Sequence, residues 1–174
     1  MSRNPPSQPD LEQSILTALR QVFGVVGWQP QQILRATRLL VRQYRAARRR
    51  RRHAVQGLQV PPFAIFSVTS QCNLNCFGCY ANELRQHSER EEMDRDEISN
   101  LLSEAHKLGV SVVLLAGGEP LLKPQLLQIT QAEPGILFLL FTNATLLDSA
   151  AIRALKGQPH VIPVLSIEGS SSTT

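Results

Sequence analysis

Cysteine is scarce in this chain and confined to one place: Cys72, Cys76 and Cys79 fall within a single short stretch of a 174-residue sequence. An odd, clustered set does not make the paired framework of a secreted scaffold, so a reducing, cytoplasmic compartment is expected. Long apolar runs are lacking too. The longest early patch, Val22 to Trp28, is far below the roughly 20 residues that span a bilayer. The polar, proline-rich opening MSRNPPSQPD does not have the form of a signal peptide. Acid is missing from one long segment: nine arginines and no carboxylate lie between Arg35 and Arg52, whereas Glu83 to Glu104 holds most of the acidic residues. Aromatic residues are few, 5% of the chain, and do not alternate with those arginines, which counts against base stacking. The basic run therefore reads first as a solvated face of a packed helix, and otherwise as an arm for an anionic surface or a partner chain.

What is present is enough for one domain and an appendage, with 43% apolar residues to build a core. Residues 1–60 read as a basic helical arm and 61–174 as an α/β unit. In the arm, Leu11, Ile15, Leu19, Val22, Phe23 and Val26 recur at helical spacing, predicting a helix from about Pro9 or Asp10 to Val26. A second helix is expected from Gln31 to Arg52, and Gly57 with Pro61-Pro62 then separates the arm from the α/β unit. Beyond it the chain alternates. Strands are expected at Phe63–Thr69, Val110–Ala116, Ile136–Phe141 and Val161–Ile167, because each is an apolar or β-branched run. Helices are expected between them: one capped by Asp94 with Glu97 and stopped by Gly109, a short one after Pro124 that ends at Pro134-Gly135, and Ser149–Lys156 capped by Asp148. Strand, helix, strand in this order implies parallel pairing. Pro163 asks for an edge, a bulge or the start of its strand.

The stretch CNLNCFGCY has the spacing CxxxCxxC. Thiolates are soft ligands that select iron–sulfur clusters, zinc or cuprous copper. A structural zinc site wants four closed ligands, and His87 could supply the fourth; a cubane cluster on three cysteines leaves one iron open to a small molecule. Both stand on spacing alone. The loop follows the C-terminal end of the first strand, the edge at which parallel α/β folds build their sites. At the end of the second strand comes Gly117-Gly118-Glu119-Pro120, where two glycines let a ligand approach the backbone and a carboxylate suits a cationic amine.

These two motifs, in this order, resemble the radical S-adenosylmethionine (SAM) family, and the resemblance runs from Phe63 to about Gly169. It implies a partial TIM-like (β/α) barrel, the N-terminal part of a (β/α)6 fold with about four parallel strands present, preceded by the helical arm. It also implies a 4Fe–4S cluster on Cys72, Cys76 and Cys79, with SAM on the vacant iron. Gly117, Gly118 and Glu119 match the turn that contacts the SAM amino group. Thr142 and Asn143 match a Thr-Asn-Gly turn facing ligand or substrate, with ordinary turn chemistry as the equal alternative. Ser166 and Glu168 match polar contacts to the ribose or methionine. Gly78 stands where an aromatic residue near the adenine is common, which leaves the adenine contact open. The activity implied is reductive cleavage of SAM to a 5′-deoxyadenosyl radical that takes hydrogen from an unknown substrate, with an external electron donor. Acid–base roles for Glu83, His87 and His106 rank below their reading as exposed helix or loop residues.

The chain also departs from the family. After Glu168-Gly169 only SSSTT remains, so the expectation is a fragment, a truncated product or a half completed by another chain. Two alternatives stand beside the enzyme: a truncated non-catalytic remnant that binds a cluster, and a zinc-binding interaction module whose basic arm meets nucleic acid.

Overall fold

The computed structural model describes residues 30–79 and 92–167. The helix expected before Val26, together with Glu83, His87, Glu168 and Gly169, lies outside the described residues. The chain divides into two compact units, Met1–Thr37 and Arg38–Thr174. The sheet, its helices and the candidate site all belong to the second.

Four parallel strands form one sheet in the order of the sequence: β1 Phe63–Thr69, β2 Val112–Gly117, β3 Leu137–Thr142 and β4 Val161–Leu165. The register runs Ile65 to Leu114 to Leu139 to Ile162 across all of them. Alternation along each strand sends Val68, Val113, Leu115, Phe138, Leu140 and Val161 to one face, where they are buried. Three helices share that core: α2 Arg95–Leu108 through Ile98 and Leu102, α3 Leu126–Ala132 through Leu126 and Ile129, and α4 Ser149–Lys156 through Leu155. β4 is an edge strand, so Pro163 sits where the N–H it lacks can be spared.

The start and stop expected for α2 hold. Asp94 accepts from the Glu97 amide at 2.8 Å while Glu97 accepts from the Asp94 amide at 2.9 Å, a full capping box. Gly109 ends α2 at φ +106°, a left-handed conformation that suits glycine. Boundaries move by a residue or two. β2 begins at Val112, because the Val110 amide bonds to the Ala105 carbonyl as part of the helix stop and the Ser111 amide bonds to Pro62. A 3₁₀ turn, Pro120–Leu122, precedes α3.

The long basic helix α1, Pro30–Val55, runs three residues past the expected Arg52. Its residues Gln43, Ala46, Arg49 and Arg50 meet the end of α2 and the approach to β2. Gln43 Nε2 donates to the Ser111 carbonyl at 3.1 Å, Arg49 Nη1 to the His106 carbonyl at 2.7 Å, and Arg50 Nη1 to the Gly109 carbonyl at 2.6 Å. Helix C-termini leave such carbonyls without intrahelical partners and carry partial negative charge, so arginine is an apt cap. α1 thus sits at the N-terminal edge of the strands.

His106 departs from its expected exposure. Its Nδ1 lies 2.9 Å from Glu133 Oε2, and a Cβ on Gly135 would fall 2.2 Å from its ring. It is a packed link between α2 and the turn after α3. No helix among the described residues is long and apolar enough to cross a membrane.

Candidate functional site

The C-terminal ends of the four strands deliver polar residues to one edge. β1 ends in Thr69 and continues through Ser70 and Gln71 into the cysteine loop. β2 delivers the Gly117-Gly118-Glu119 turn, which is sewn onto the β1 exit: the Gly118 amide donates to the Thr69 carbonyl and the Glu119 amide to the Gln71 carbonyl, both at 2.8 Å. Only glycine permits that approach. A Cβ on Gly117 would stand 2.3 Å from the Thr69 oxygen, and one on Gly118 would stand 2.0 Å from the Gln71 oxygen. Gly117 also holds φ +131°.

Glu119 turns inward and is fully buried. Oε1 accepts from Thr142 Oγ1 at 2.8 Å and from the Leu121 amide at 3.0 Å, while Oε2 accepts from the Asn143 amide at 2.8 Å. The side chain expected to meet a ligand amine accepts from three of the protein's own donors, and it ties the β2 exit to the β3 exit. The adjoining backbone remains the part of the turn that faces outward, since Gly117 and Gly118 are only partly buried.

Asn143 faces the cysteine loop. Its Nδ2 donates to Asn73 Oδ1 at 3.0 Å and lies 3.9 Å from Cys72 Sγ. Thr145 completes a small network: its Oγ1 donates to Asn143 Oδ1 at 2.6 Å and accepts from Asn73 Nδ2 at 2.7 Å. The Leu74 amide lies 3.4 Å from the same Cys72 sulfur. Two N–H groups aimed at one sulfur are the environment a thiolate ligand favours. Cys76 is exposed, Cys79 is partly so, and the Cys79 amide donates to the Cys76 carbonyl across a turn at 3.4 Å. Gly78 holds φ +73°, and no described atom lies within 4 Å of where its Cβ would stand. Among the described residues no three metal-binding side chains already converge. The donor set nevertheless fits a cluster: three soft sulfurs lie on one short loop at the C-terminal edge of the strands, one of them already receiving hydrogen bonds.

Ser166 reaches the same edge, exposed, with its amide donating to the Thr142 carbonyl at 2.9 Å.

Glu92 is a functional neighbour that the sequence did not single out. Its Oε1 accepts from Thr69 Oγ1 at 2.6 Å, the Ser70 amide at 2.9 Å and Ser70 Oγ at 3.0 Å, and Oε2 pairs with Lys123 at 2.9 Å. Burial pushes its pKa upward, but the bonds from Thr69, Lys123 and Ser70 outweigh that and hold it at about 2 instead of 4.5. Glu92 thereby closes the base of the loop on its far side. Its only sequence signal was a place in an acidic run.

The family model of the Radical SAM superfamily matches residues 66–173. Among curated relatives, the AdoMet-dependent heme synthase of Methanosarcina barkeri is 28% identical over 116 residues, 66% of this chain and 33% of that protein. The PqqA peptide cyclase of Rhodopseudomonas palustris is 32% identical over 118 residues, 66% of this chain and 30% of that one. A probable GTP 3',8-cyclase of Methanothermobacter marburgensis is 34% identical over 89 residues, 49% of this chain and 28% of its own. The chain thus spans about a third of the length of these relatives. Among solved structures, Streptococcus suis SuiB bound to its precursor peptide SuiA superposes with a TM-score of 0.56 at 20% identity, covering 79% of this chain and 29% of SuiB. SuiB bound to S-adenosylmethionine gives 0.55 at 17%, covering 99% and 33%; at such identities the likeness concerns the fold. With more than half of the chain matched by the family model, and with the cysteine loop and glycine turn brought to one edge of a parallel sheet, this protein belongs to the radical SAM superfamily.

Proposed function

We propose that this chain holds a 4Fe–4S cluster on Cys72, Cys76 and Cys79, binds SAM on the backbone of Gly117 and Gly118, and serves a hydrogen-abstracting reaction on a substrate that the sequence does not name. When bound, the cluster and SAM supply one-electron cleavage of the sulfonium C–S bond, giving methionine and a 5′-deoxyadenosyl radical that takes a hydrogen atom. The electron comes from an external donor, in a cytoplasmic setting where the thiols stay reduced.

The observation that carries this reading is the lacing at the β1 exit. The glycine turn hangs on the carbonyls of Thr69 and Gln71, the very residues from which the cysteine loop departs. Ligand shelf and metal loop therefore share one rigid base. Glu119 fixes the turn against Thr142 and Asn143, and Asn143 reaches the Cys72 sulfur. Ser166, exposed just after β4, contributes polar contact there, and Glu168, two residues further along the sequence, is assigned a polar contact to SAM by the family resemblance. Gly78 stands beside the third cysteine. The residues position and orient the bound groups.

Anaerobic reconstitution with iron and sulfide tests the proposal. A charge-transfer band near roughly 400 nm, a change in the electron paramagnetic resonance signal on adding SAM, and release of 5′-deoxyadenosine are expected. Colourless protein holding stoichiometric zinc would overturn it in favour of a zinc module. Cluster uptake with no SAM cleavage would reduce the proposal to a cluster-binding remnant.

A further inference from the structure

α1 has two different sides, and among the described residues only one of them packs against the rest of the fold. At about 3.6 residues per turn, residues seven apart fall in one row. The row Ala46–His53 and the row Gln43–Arg50 face the rest of the protein: Ala46 is buried, and Gln43 and Arg50 donate across to Ser111 and Gly109. The opposite rows are Arg38–Arg45–Arg52, Val41–Arg48–Val55 and Tyr44–Arg51, and every one of these residues is exposed. Leu40 lies beside them, also exposed.

The composition of that outer side is specific. It carries five arginines and no carboxylate, because the whole helix lacks acid. Among them stand Val41 at 43%, Tyr44 at 62% and Val55 at 89% exposure. Single exposed apolar side chains are ordinary on a surface, but here three of them share the outer rows with five arginines. Nucleic acid does not account for them, since phosphate contacts take charge, and stacking takes more than the single aromatic Tyr44. A bilayer interface takes both: aliphatic and tyrosine side chains enter the headgroup boundary while arginines reach out to anionic headgroups.

We propose that the exposed side of α1 lies on an anionic phospholipid surface as a peripheral, in-plane helix. The site is spared by this arrangement. α1 packs at the N-terminal edge of the strands, and the cysteine loop lies at the other edge, about 20 Å away along strands of this length. Lipid binding and cluster chemistry are therefore expected to be independent, and the inference does not rest on the proposed cluster chemistry.

Flotation of the full chain with lipid vesicles tests it. The expected result is binding to phosphatidylglycerol-containing vesicles, weakening as salt rises, with little binding to pure phosphatidylcholine. The triple variant Arg45→Gln, Arg48→Gln, Arg52→Gln should weaken binding on the order of a hundredfold, given the usual contribution of each basic residue near such a surface. The variant Val41→Ser, Tyr44→Ser keeps every charge and should also weaken binding severalfold, with circular dichroism unchanged. No binding to the anionic vesicles overturns the proposal. So does binding that ignores the serine substitutions, which makes the helix a charge-only surface.

Discussion

Removing the Glu119 carboxylate would strand three donors at once: the Thr142 hydroxyl and the amides of Asn143 and Leu121. A buried donor left unpaired costs about 1–3 kcal/mol, so Glu119→Ala should lower unfolding free energy by several kcal/mol in denaturant titration. Thr142→Val removes only one of the three and should cost about 1 kcal/mol. Asn143 poses a different kind of question, because its Nδ2 points at both Asn73 and the Cys72 sulfur. A hydrogen bond to a ligating sulfur favours the more negative, reduced cluster. Asn143→Ala should therefore shift the midpoint potential of the reconstituted cluster downward in a titration followed by paramagnetic resonance. Thr145→Ala, which leaves that contact in place, should shift it less. Equal shifts in both would mean that the network acts only by holding the loop.

At the scale of elements, Glu92 holds the base of the loop through its bonds to Thr69 and Ser70, and it has a pH signature. Glu92 holds a pKa of about 2 in the folded protein against 4.5 ordinarily. A depressed carboxylate pKa means that its stabilisation is fully present above about 4.5 and is lost as the pH falls toward 2. Stability measured from pH 6 down to 2 should fall through that window, and Glu92→Gln should flatten the fall while lowering the plateau. The strands and helix stops were legible because each is written locally. Val112–Gly117 and Leu137–Thr142 are continuous apolar runs, and Gly109 and Asp94 mark their helix ends by their own conformational needs. Cys72, Gly117 and Asn143 were legible as candidates because motifs carry them, and the fold brings all three to one edge. The inward turn of Glu119 was not legible, since its partners Thr142 and Asn143 lie more than twenty residues away. The same applies to Glu92, whose bonds to Thr69 and Ser70 span the whole cysteine loop. For His106, the nearness of Glu133 and Gly135 follows only from α2 and α3 lying side by side.

Taken as a whole, the molecule separates its tasks between the two ends of one parallel sheet. Everything tied to the proposed chemistry leaves the C-terminal ends of the strands, and the α1 contacts gather at the N-terminal edge, where α/β folds spend residues on stability. The two ends share the sheet between them, so substitutions that leave the sheet intact at one end should not be read out at the other. Arg49 and Arg50 give the sharpest test. Each donates to a carbonyl at the end of α2, His106 and Gly109 respectively, and each places positive charge where the helix dipole is negative. Arg49→Ala and Arg50→Ala should each cost about 1.5–3 kcal/mol, the worth of a charge-assisted hydrogen bond. Iron and sulfide uptake per folded chain should be unchanged in both. Gln43→Ala, which loses a neutral bond to the Ser111 carbonyl, should cost less than either. A loss of cluster uptake without a loss of stability in these variants would break the separation, because α2 or the strands would then have to carry a signal from one edge of the sheet to the cysteine loop at the other.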